Sequence, residues 1–222
     1  MSKYDLIIFD CDGVLIDSEV LSASVFIAEL EKNDIQIDRR VFFERMIGRS
    51  FEQGIFTIRE ETGKTPPPDF KETVRHALLE RFSQALRPIK DITTLLQALN
   101  TSVCVATSSD PIRAARSLAI TGLDSFFKDR VFTASMVKNG KPAPDLFLHA
   151  ASALNTKAER CIVIEDSAYG LIAAKAAGMT AWHFTGGGHF SEGYSVDPEI
   201  ARDRSFTDMT ALLAEAKALS LA

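Results

Sequence analysis

The sequence lacks three features: an apolar run long enough to cross a membrane, a dense basic cluster and a low-complexity tract. The apolar segment of its N-terminus, MSKYDLIIFD, is interrupted by aspartates and is too short for a secretory signal. Lys and Arg number 25 against 30 Asp and Glu, and no basic stretch alternates with aromatic residues. We therefore expect a cytoplasmic protein that binds neither membranes nor nucleic acid, and, without a long heptad pattern, a monomer.

Cysteine is also scarce. The chain has three, Cys11, Cys104 and Cys161, each within or beside an apolar run and without the spacing of a zinc site. We interpret them as reduced, buried thiols rather than disulfides or metal ligands. The hydrophobic content of 46% over 222 residues predicts a compact globular protein.

Short apolar runs without polar alternation recur along the chain, which is typical of strands buried on both faces. They lie at 5–10, 102–107, 131–134, 161–165 and 180–184. Helical patterns separate the later runs, at 111–120, 144–154 and 167–177. Because strands that alternate with helices form parallel sheets, we predict an α/β fold with a doubly wound parallel sheet.

One long interval interrupts this alternation. Residues 18–86 contain no comparable strand and show three or four amphipathic helical patterns, including 20–31 and 69–85. We interpret this interval as a small helical cap inserted after the first strand. The predicted division is a core at 1–17 and 87–222 and a cap at 18–86.

Charged side chains stand at the ends of the predicted strands, where open parallel sheets bind ligands. IIFDCDGVLIDSE places Asp10 and Asp12 after the first strand, Lys141 follows the third, and Glu165 and Asp166 end the fourth. Four carboxylates at one edge would repel each other unless a cation lay among them. A hard divalent ion that prefers oxygen ligands, above all Mg²⁺, meets this need.

Hydroxyl groups end the second strand. Thr107, Ser108 and Ser109 precede a helix that Asp110 and Pro111 open. Taken alone these residues are ordinary helix caps, but with a lysine nearby they suit a dianionic phosphate. Such a site favours phosphoryl chemistry, in which one carboxylate attacks phosphorus and a second, kept protonated by its neighbours, protonates the leaving oxygen.

Four segments carry a family resemblance. FDCDGVLIDSE resembles the first motif of the haloacid dehalogenase-like hydrolases, and VATSS, GKPAPDLF and IEDS resemble the second, third and fourth, in order. The helical insertion is similar to the small α-helical cap of one subgroup, so the resemblance covers essentially the whole chain. It implies a Rossmann-like core and a Mg²⁺-dependent phosphatase acting on a small metabolite such as a sugar phosphate, phosphoglycolate or a nucleotide.

The resemblance also implies residue roles. Asp10 would be the nucleophile that forms an aspartyl-phosphate, and Asp12 the general acid that protonates the leaving group and then activates water. Thr107, Ser108 and Lys141 would bind the transferring phosphate, with Lys141 also counted among the catalytic residues.

The implied metal site draws on the same motifs. Mg²⁺ would bind the carboxylates of Asp10 and Asp166 and the carbonyl of Asp12, with Glu165 as a ligand or acting through water. In the cap, Arg49 of IGRSFEQG is either a surface arginine or a substrate contact, and we retain it as the candidate substrate-binding residue.

Other chemistries of the family remain to be weighed. Asp12 and the acidic pair Glu165 and Asp166 argue against a dehalogenase. Sugar-phosphate mutases of this cap type are harder to exclude, but they carry a histidine in the first cap helix where Ser22 stands here, which favours transfer to water. A catalytically idle binding module is the remaining alternative, and the complete set of motif residues argues against it.

The histidines show no ligand spacing. We expect His76, His149, His183 and His189 to be structural or surface residues. GGGH at 186–189 is expected to form a flexible loop that reaches the site entrance.

Overall fold

In a computed structural model, which describes residues 2–222, six strands form one parallel sheet in the order β3-β2-β1-β4-β5-β6. The strands are β1 (Leu6–Phe9), β2 (Ser102–Thr107), β3 (Val131–Thr133), β4 (Cys161–Glu165), β5 (Thr180–Phe184) and β6 (Arg204–Phe206). This architecture confirms the predicted α/β class. The first five strands lie within the predicted apolar runs, whereas β6 was not predicted.

Helices connect the strands and cover both faces of the sheet. They are α1 (Glu19–Glu31), α2 (Arg39–Arg45), α3 (Phe51–Thr62), α4 (Phe70–Ala85), α5 (Ile92–Ala98), α6 (Pro111–Thr121), α7 (Asp124–Phe127), α8 (Asp145–Ala153), α9 (Ala168–Ala176), α10 (Gly188–Ser191) and α11 (Met209–Ala218). Helices α1, α4, α6, α8 and α9 confirm the helical patterns. Among residues 2–222, no helix combines the length and apolar character needed to cross a bilayer.

Strand β1 shows why the apolar runs do not alternate with polar residues. Its side chains point to opposite faces in turn, and all four are fully buried. Leu6 and Ile8 pack with α8 and α9, while Ile7 and Phe9 pack with α5, α7 and α11. Both faces therefore need apolar residues, as expected for a parallel sheet covered on two sides.

Helices α1 to α4 follow β1 in the chain, before β2, and pack against one another. Their contacts centre on Phe26 of α1, whose ring centroid lies 5.7, 6.0 and 5.5 Å from those of Phe42, Phe51 and Phe70. These aromatic contacts join all four helices to each other.

The two segments that link these helices to the sheet lie side by side. The backbone N–H of Asp17 donates to the carbonyl of Arg87 at 3.0 Å, and that of Ile89 donates to the carbonyl of Leu15 at 2.9 Å. Entry and exit of the helical insertion therefore occur at one place. This pairing supports the division into core and cap, which stays our proposal.

The glycine-rich segment at 186–189 differs from its prediction as a flexible loop at the site entrance. It packs against the loop after β1, where the N–H of Gly188 donates to Asp17 Oδ1 at 2.9 Å. A Cβ added at Gly187 would lie 2.9 Å from the carbonyl oxygen of Gly13. The glycines are needed for this close backbone approach rather than for mobility. All three cysteines are free and buried, as predicted.

Replacement of Phe127 tests the core. Its ring is fully buried and meets Phe9 edge-on at 6.2 Å, so Phe127→Ala should lower the free energy of unfolding by roughly 3–5 kcal/mol. Phe56 is 56% exposed, and Phe56→Ala should change it by less than about 0.5 kcal/mol. Urea unfolding of both variants measures the difference, and equal losses would contradict this packing.

Candidate active site

The site lies at the carboxyl edge of β1 and β4. These strands are parallel neighbours with Phe9 opposite Ile164, and the N–H of Asp10 donates to the Ile164 carbonyl at 2.9 Å. Strands β2 and β3 lie on one side of β1, and β4, β5 and β6 lie on the other. The strand order therefore reverses between β1 and β4, which is where open sheets bind ligands. Asp10, Glu165 and Asp166 thus offer carboxylate oxygens within 4.8 Å of one another.

Lys141 is fully buried among these carboxylates. Its Nζ donates to Asp10 Oδ1 at 2.6 Å and to Glu165 Oε1 at 2.5 Å. The other oxygen of Glu165 accepts hydrogen bonds from the backbone N–H and the hydroxyl of Ser167, both at 2.9 Å. Glu165 therefore has both oxygens bound to protein donors, whereas Oδ2 of Asp166 accepts no hydrogen bond of good geometry within residues 2–222, although Nε2 of His189 lies 3.0 Å away.

The charges at this edge do not balance. Burial raises the pKa of Asp10 well above its usual value, and although Lys141 opposes this, the Glu165 and Asp166 carboxylates add to it. Burial and then Glu165 likewise raise the pKa of Asp166. One ammonium cannot neutralise three buried carboxylates. The three converging carboxylates, all oxygen ligands, fit a hard divalent cation.

Asp12 has a different environment. Its Oδ1 accepts hydrogen bonds from Ser18 Oγ and Arg113 Nη2, both at 2.6 Å, and its Oδ2 accepts one from Ser109 Oγ at 2.7 Å. Burial opposes ionisation, but these donors outweigh it and lower the pKa of Asp12. The expectation that neighbouring groups keep Asp12 protonated is therefore wrong for this state, because its closest neighbours are donors.

A cavity of about 650 Å³ opens between the sheet edge and the proposed cap. The predicted residues on its wall are Asp10, Asp12, Arg49, Thr107 and Ser108. The other predicted residues, Lys141, Glu165 and Asp166, are fully buried next to Asp10. The structure therefore brings all eight residues to one region.

Hydrogen bonds join the two sides of the cavity. Ser108 Oγ donates to the Gly48 carbonyl at 2.9 Å, and Gln53 Nε2 donates to the Lys141 carbonyl at 3.2 Å. Ser108 thus uses its hydroxyl to contact the proposed cap. Thr107 does not, since its Oγ1 accepts a hydrogen bond from the backbone N–H of Ser109 at 3.0 Å.

Arg49 reaches the cavity from the proposed cap. Its guanidinium lies 4.9 Å from the ring centroid of Tyr169, and Nη1 donates to the Arg45 carbonyl at 3.3 Å and to Thr57 Oγ1 at 3.4 Å. Within the part of the chain that the structure describes, no carboxylate forms an ion pair with it, in contrast to neighbouring Arg45, which pairs with Glu60. Arg49 therefore presents an unneutralised positive charge at the cavity wall.

Sequence reasoning missed two groups at the site, Arg113 and His189. Arg113 binds Asp12. Glu19 also lines the cavity, and burial and the charge of Asp12 raise its pKa to about 8. His189 is fully buried with Nε2 at 3.0 Å from Asp166 Oδ2. The available signals were an arginine in the first turn of a helix, against the helix dipole, and a histidine just after the fifth strand at the same sheet edge.

Comparisons with known proteins agree with this architecture. The family model of the haloacid dehalogenase-like hydrolases matches residues 4–178. The 6-phosphogluconate phosphatase of Escherichia coli is 30% identical over 190 residues, which cover 85% of this chain and 86% of that protein. The fructose-1-phosphate phosphatase YqaB of Escherichia coli is 30% identical over 183 residues, covering 81% and 95%.

Solved structures share the whole fold. A haloacid dehalogenase-like protein of unknown function from Agrobacterium tumefaciens superposes with a TM-score of 0.78 at 29% identity, covering 98% of this chain and 99% of the other. A family hydrolase from Deinococcus radiodurans with bound phosphate and sodium gives a TM-score of 0.75 at 27% identity, covering 100% and 98%.

Lys141→Met tests the buried charge cluster. The variant leaves Asp10 and Glu165 without their buried cation, so the free energy of unfolding in EDTA should fall by roughly 3–5 kcal/mol. Lys138 is exposed, and Lys138→Met should have little effect. Equal urea midpoints for the two variants would show that the carboxylates do not depend on Lys141.

Proposed function

The chain belongs to the haloacid dehalogenase-like hydrolase family and is a phosphatase, and we propose that it hydrolyses small phosphomonoesters through an aspartyl-phosphate on Asp10. The observation that carries this proposal is the Asp10 carboxylate on the cavity wall, with Lys141 bound to one of its oxygens and Asp12 two residues away. This arrangement provides a nucleophile, a cation beside it and a second carboxyl for proton transfer.

The reaction follows in two steps. Lys141 holds Asp10 Oδ1, which leaves Oδ2 to attack phosphorus, and the bond from phosphorus to the leaving oxygen breaks. Asp12, whose protonated form the charge of the bound substrate favours, gives its proton to that oxygen. Water then attacks the aspartyl-phosphate, its proton passes to the Asp12 carboxylate, and phosphate leaves. The Asp10 carboxylate is restored for the next cycle.

We propose Mg²⁺ as the cofactor. The carboxylates of Asp10 and Asp166 would hold it, together with the Asp12 carbonyl that the motif implies, while Glu165 anchors Lys141. When bound, the ion supplies positive charge that favours the ionised form of Asp10 and offsets the charge of the phosphate. The convergence of the Asp10, Glu165 and Asp166 carboxylates supports this assignment.

The transferring phosphate would be bound by Lys141 and by the end of β2. Thr107 and Ser108 line the cavity immediately before α6, whose first-turn N–H groups at Ile112 and Arg113 are already bound by Asp110. The Deinococcus radiodurans relative carries a bound phosphate, which supports a phosphate site in this fold.

A sugar phosphate is the proposed substrate class. The two Escherichia coli relatives are phosphatases of phosphorylated sugars or sugar acids, and a cavity of about 650 Å³ suits a small metabolite rather than a folded protein. Arg49 would bind the end of the substrate that does not react. Phosphoglycolate is a smaller candidate substrate. The monomeric state and the cytoplasmic location of the protein stay predictions.

Asp10→Asn should abolish turnover. Without the nucleophile, kcat for phosphate release from a panel of phosphorylated metabolites should fall on the order of 10⁶-fold. In the wild type, EDTA should remove activity, Mg²⁺ should restore it, and Ca²⁺ should restore it poorly because its coordination is looser and higher.

The exposed Asp34 provides a control, since Asp34→Asn makes the same chemical change away from the site. Hydrolysis retained by Asp10→Asn would refute Asp10 as the nucleophile. Conversion of β-glucose 1-phosphate to its 6-phosphate isomer without phosphate release would instead identify a mutase. The absence of turnover with every substrate would support the catalytically idle binding module.

Arg49→Met tests substrate recognition. If Arg49 binds a second anionic group, KM for a sugar-acid phosphate should rise roughly tenfold with little change in kcat, and KM for a neutral sugar phosphate should change less. Arg45→Met, which removes a nearby arginine already paired with Glu60, is the matched control. Equal KM changes for both substrate types would exclude this role.

A further inference from the structure

Arg113 lies where a cation is disfavoured. It is in the first turn of α6, where the helix dipole opposes positive charge, and its side chain is only 22% exposed. Asp110, the N-cap residue, accepts a hydrogen bond from the Arg113 backbone N–H at 3.1 Å and so fixes the backbone at this position. Such a placement needs a compensating interaction for the guanidinium.

That interaction is with Asp12. Nη2 of Arg113 donates to Asp12 Oδ1 at 2.6 Å, while Ser109 holds Oδ2 at 2.7 Å. Hydrogen bonds between ionised groups are short and directional. The Asp12 carboxylate is therefore fixed at both oxygens, and Arg113 supplies the charged contact.

The same guanidinium contacts the proposed cap. Nη2 also donates to Ser22 Oγ on α1 at 3.1 Å, and the guanidinium carbon lies 5.6 Å from the ring centroid of Phe82 on α4. Arg113 itself lines the cavity. One side chain from α6 thus joins Asp12 to the two helices that cover the site.

We propose that Arg113 is a positioning residue for acid–base catalysis by Asp12. It orients the Asp12 carboxyl group, and this orientation depends on the position of α1 and α4. The proposal rests on the proposed function of Asp12 as the general acid. In the first step, the electron pair of the breaking phosphorus–oxygen bond passes to the leaving oxygen, and the Asp12 proton follows it. A misoriented Asp12 slows this proton transfer while leaving the attack by Asp10 intact.

Leaving-group dependence separates this role from a structural one. A sugar hydroxyl needs a proton to leave, whereas 4-nitrophenolate leaves without one, and kcat/KM reports only the steps up to cleavage of the ester. For Arg113→Met, kcat/KM should fall roughly 10- to 100-fold with the preferred sugar phosphate and less than about threefold with 4-nitrophenyl phosphate. Arg113→Lys, which keeps the charge, should recover part of the loss.

Arg116, exposed on the same helix, provides the control, and Arg116→Met should leave both values unchanged. If Arg113→Met is unfolded at the assay temperature, Arg113→Lys carries the comparison, with a smaller loss that is still confined to the sugar phosphate. Equal losses with the two substrates, or no loss, would overturn the role of Arg113 alone. A folded wild type that hydrolyses neither substrate would overturn the proposed function and this proposal with it.

Discussion

The buried ammonium of Lys141 is the contact on which the rest of the site depends. It joins carboxylates from two neighbouring strands, Asp10 after β1 and Glu165 at the end of β4. A carboxylate or an ammonium buried without a partner costs several kcal/mol, so these groups are tolerated only together. The surrounding chain is shaped around them: a Cβ at Gly170 in α9 would lie 1.9 Å from Glu165 Oε1, so only glycine fits there.

Two aspartates separated by one residue experience opposite surroundings. Cys11, between them, packs into the apolar cluster, while Asp10 faces Lys141 and further carboxylates and Asp12 faces hydroxyls and Arg113. The pKa of Asp10 is therefore raised and that of Asp12 lowered, a divergence typical of acid–base sites. The proposed reaction needs the reverse order, an ionised Asp10 as nucleophile and a protonated Asp12 as acid. A divalent cation near Asp10 and an anionic substrate near Asp12 would shift both groups in that direction.

The sequence predicted what depends on local pattern. Runs such as LIIF must be apolar throughout because both faces of β1 are covered, and the carboxyl-edge rule then brings Asp10 to Glu165 and Asp166. It did not predict β6, where only Phe206 is buried and no apolar run exists. Arg113 was also missed, because its partner lies 101 residues away and only the tertiary fold brings them together.

In the proposed function, the two sides of the cavity divide catalysis from substrate selection. The core supplies the carboxylates, whereas Arg49, the unneutralised cation of the proposed cap, is available to distinguish substrates. Direct hydrogen bonds across the cavity, from Ser108 to Gly48 and from Gln53 to Lys141, contribute about 1 kcal/mol each. Contacts of this size can be broken and re-formed as a substrate enters. Local movement of this kind would let the cavity admit a metabolite and then exclude water around Arg49 and the proposed phosphate site.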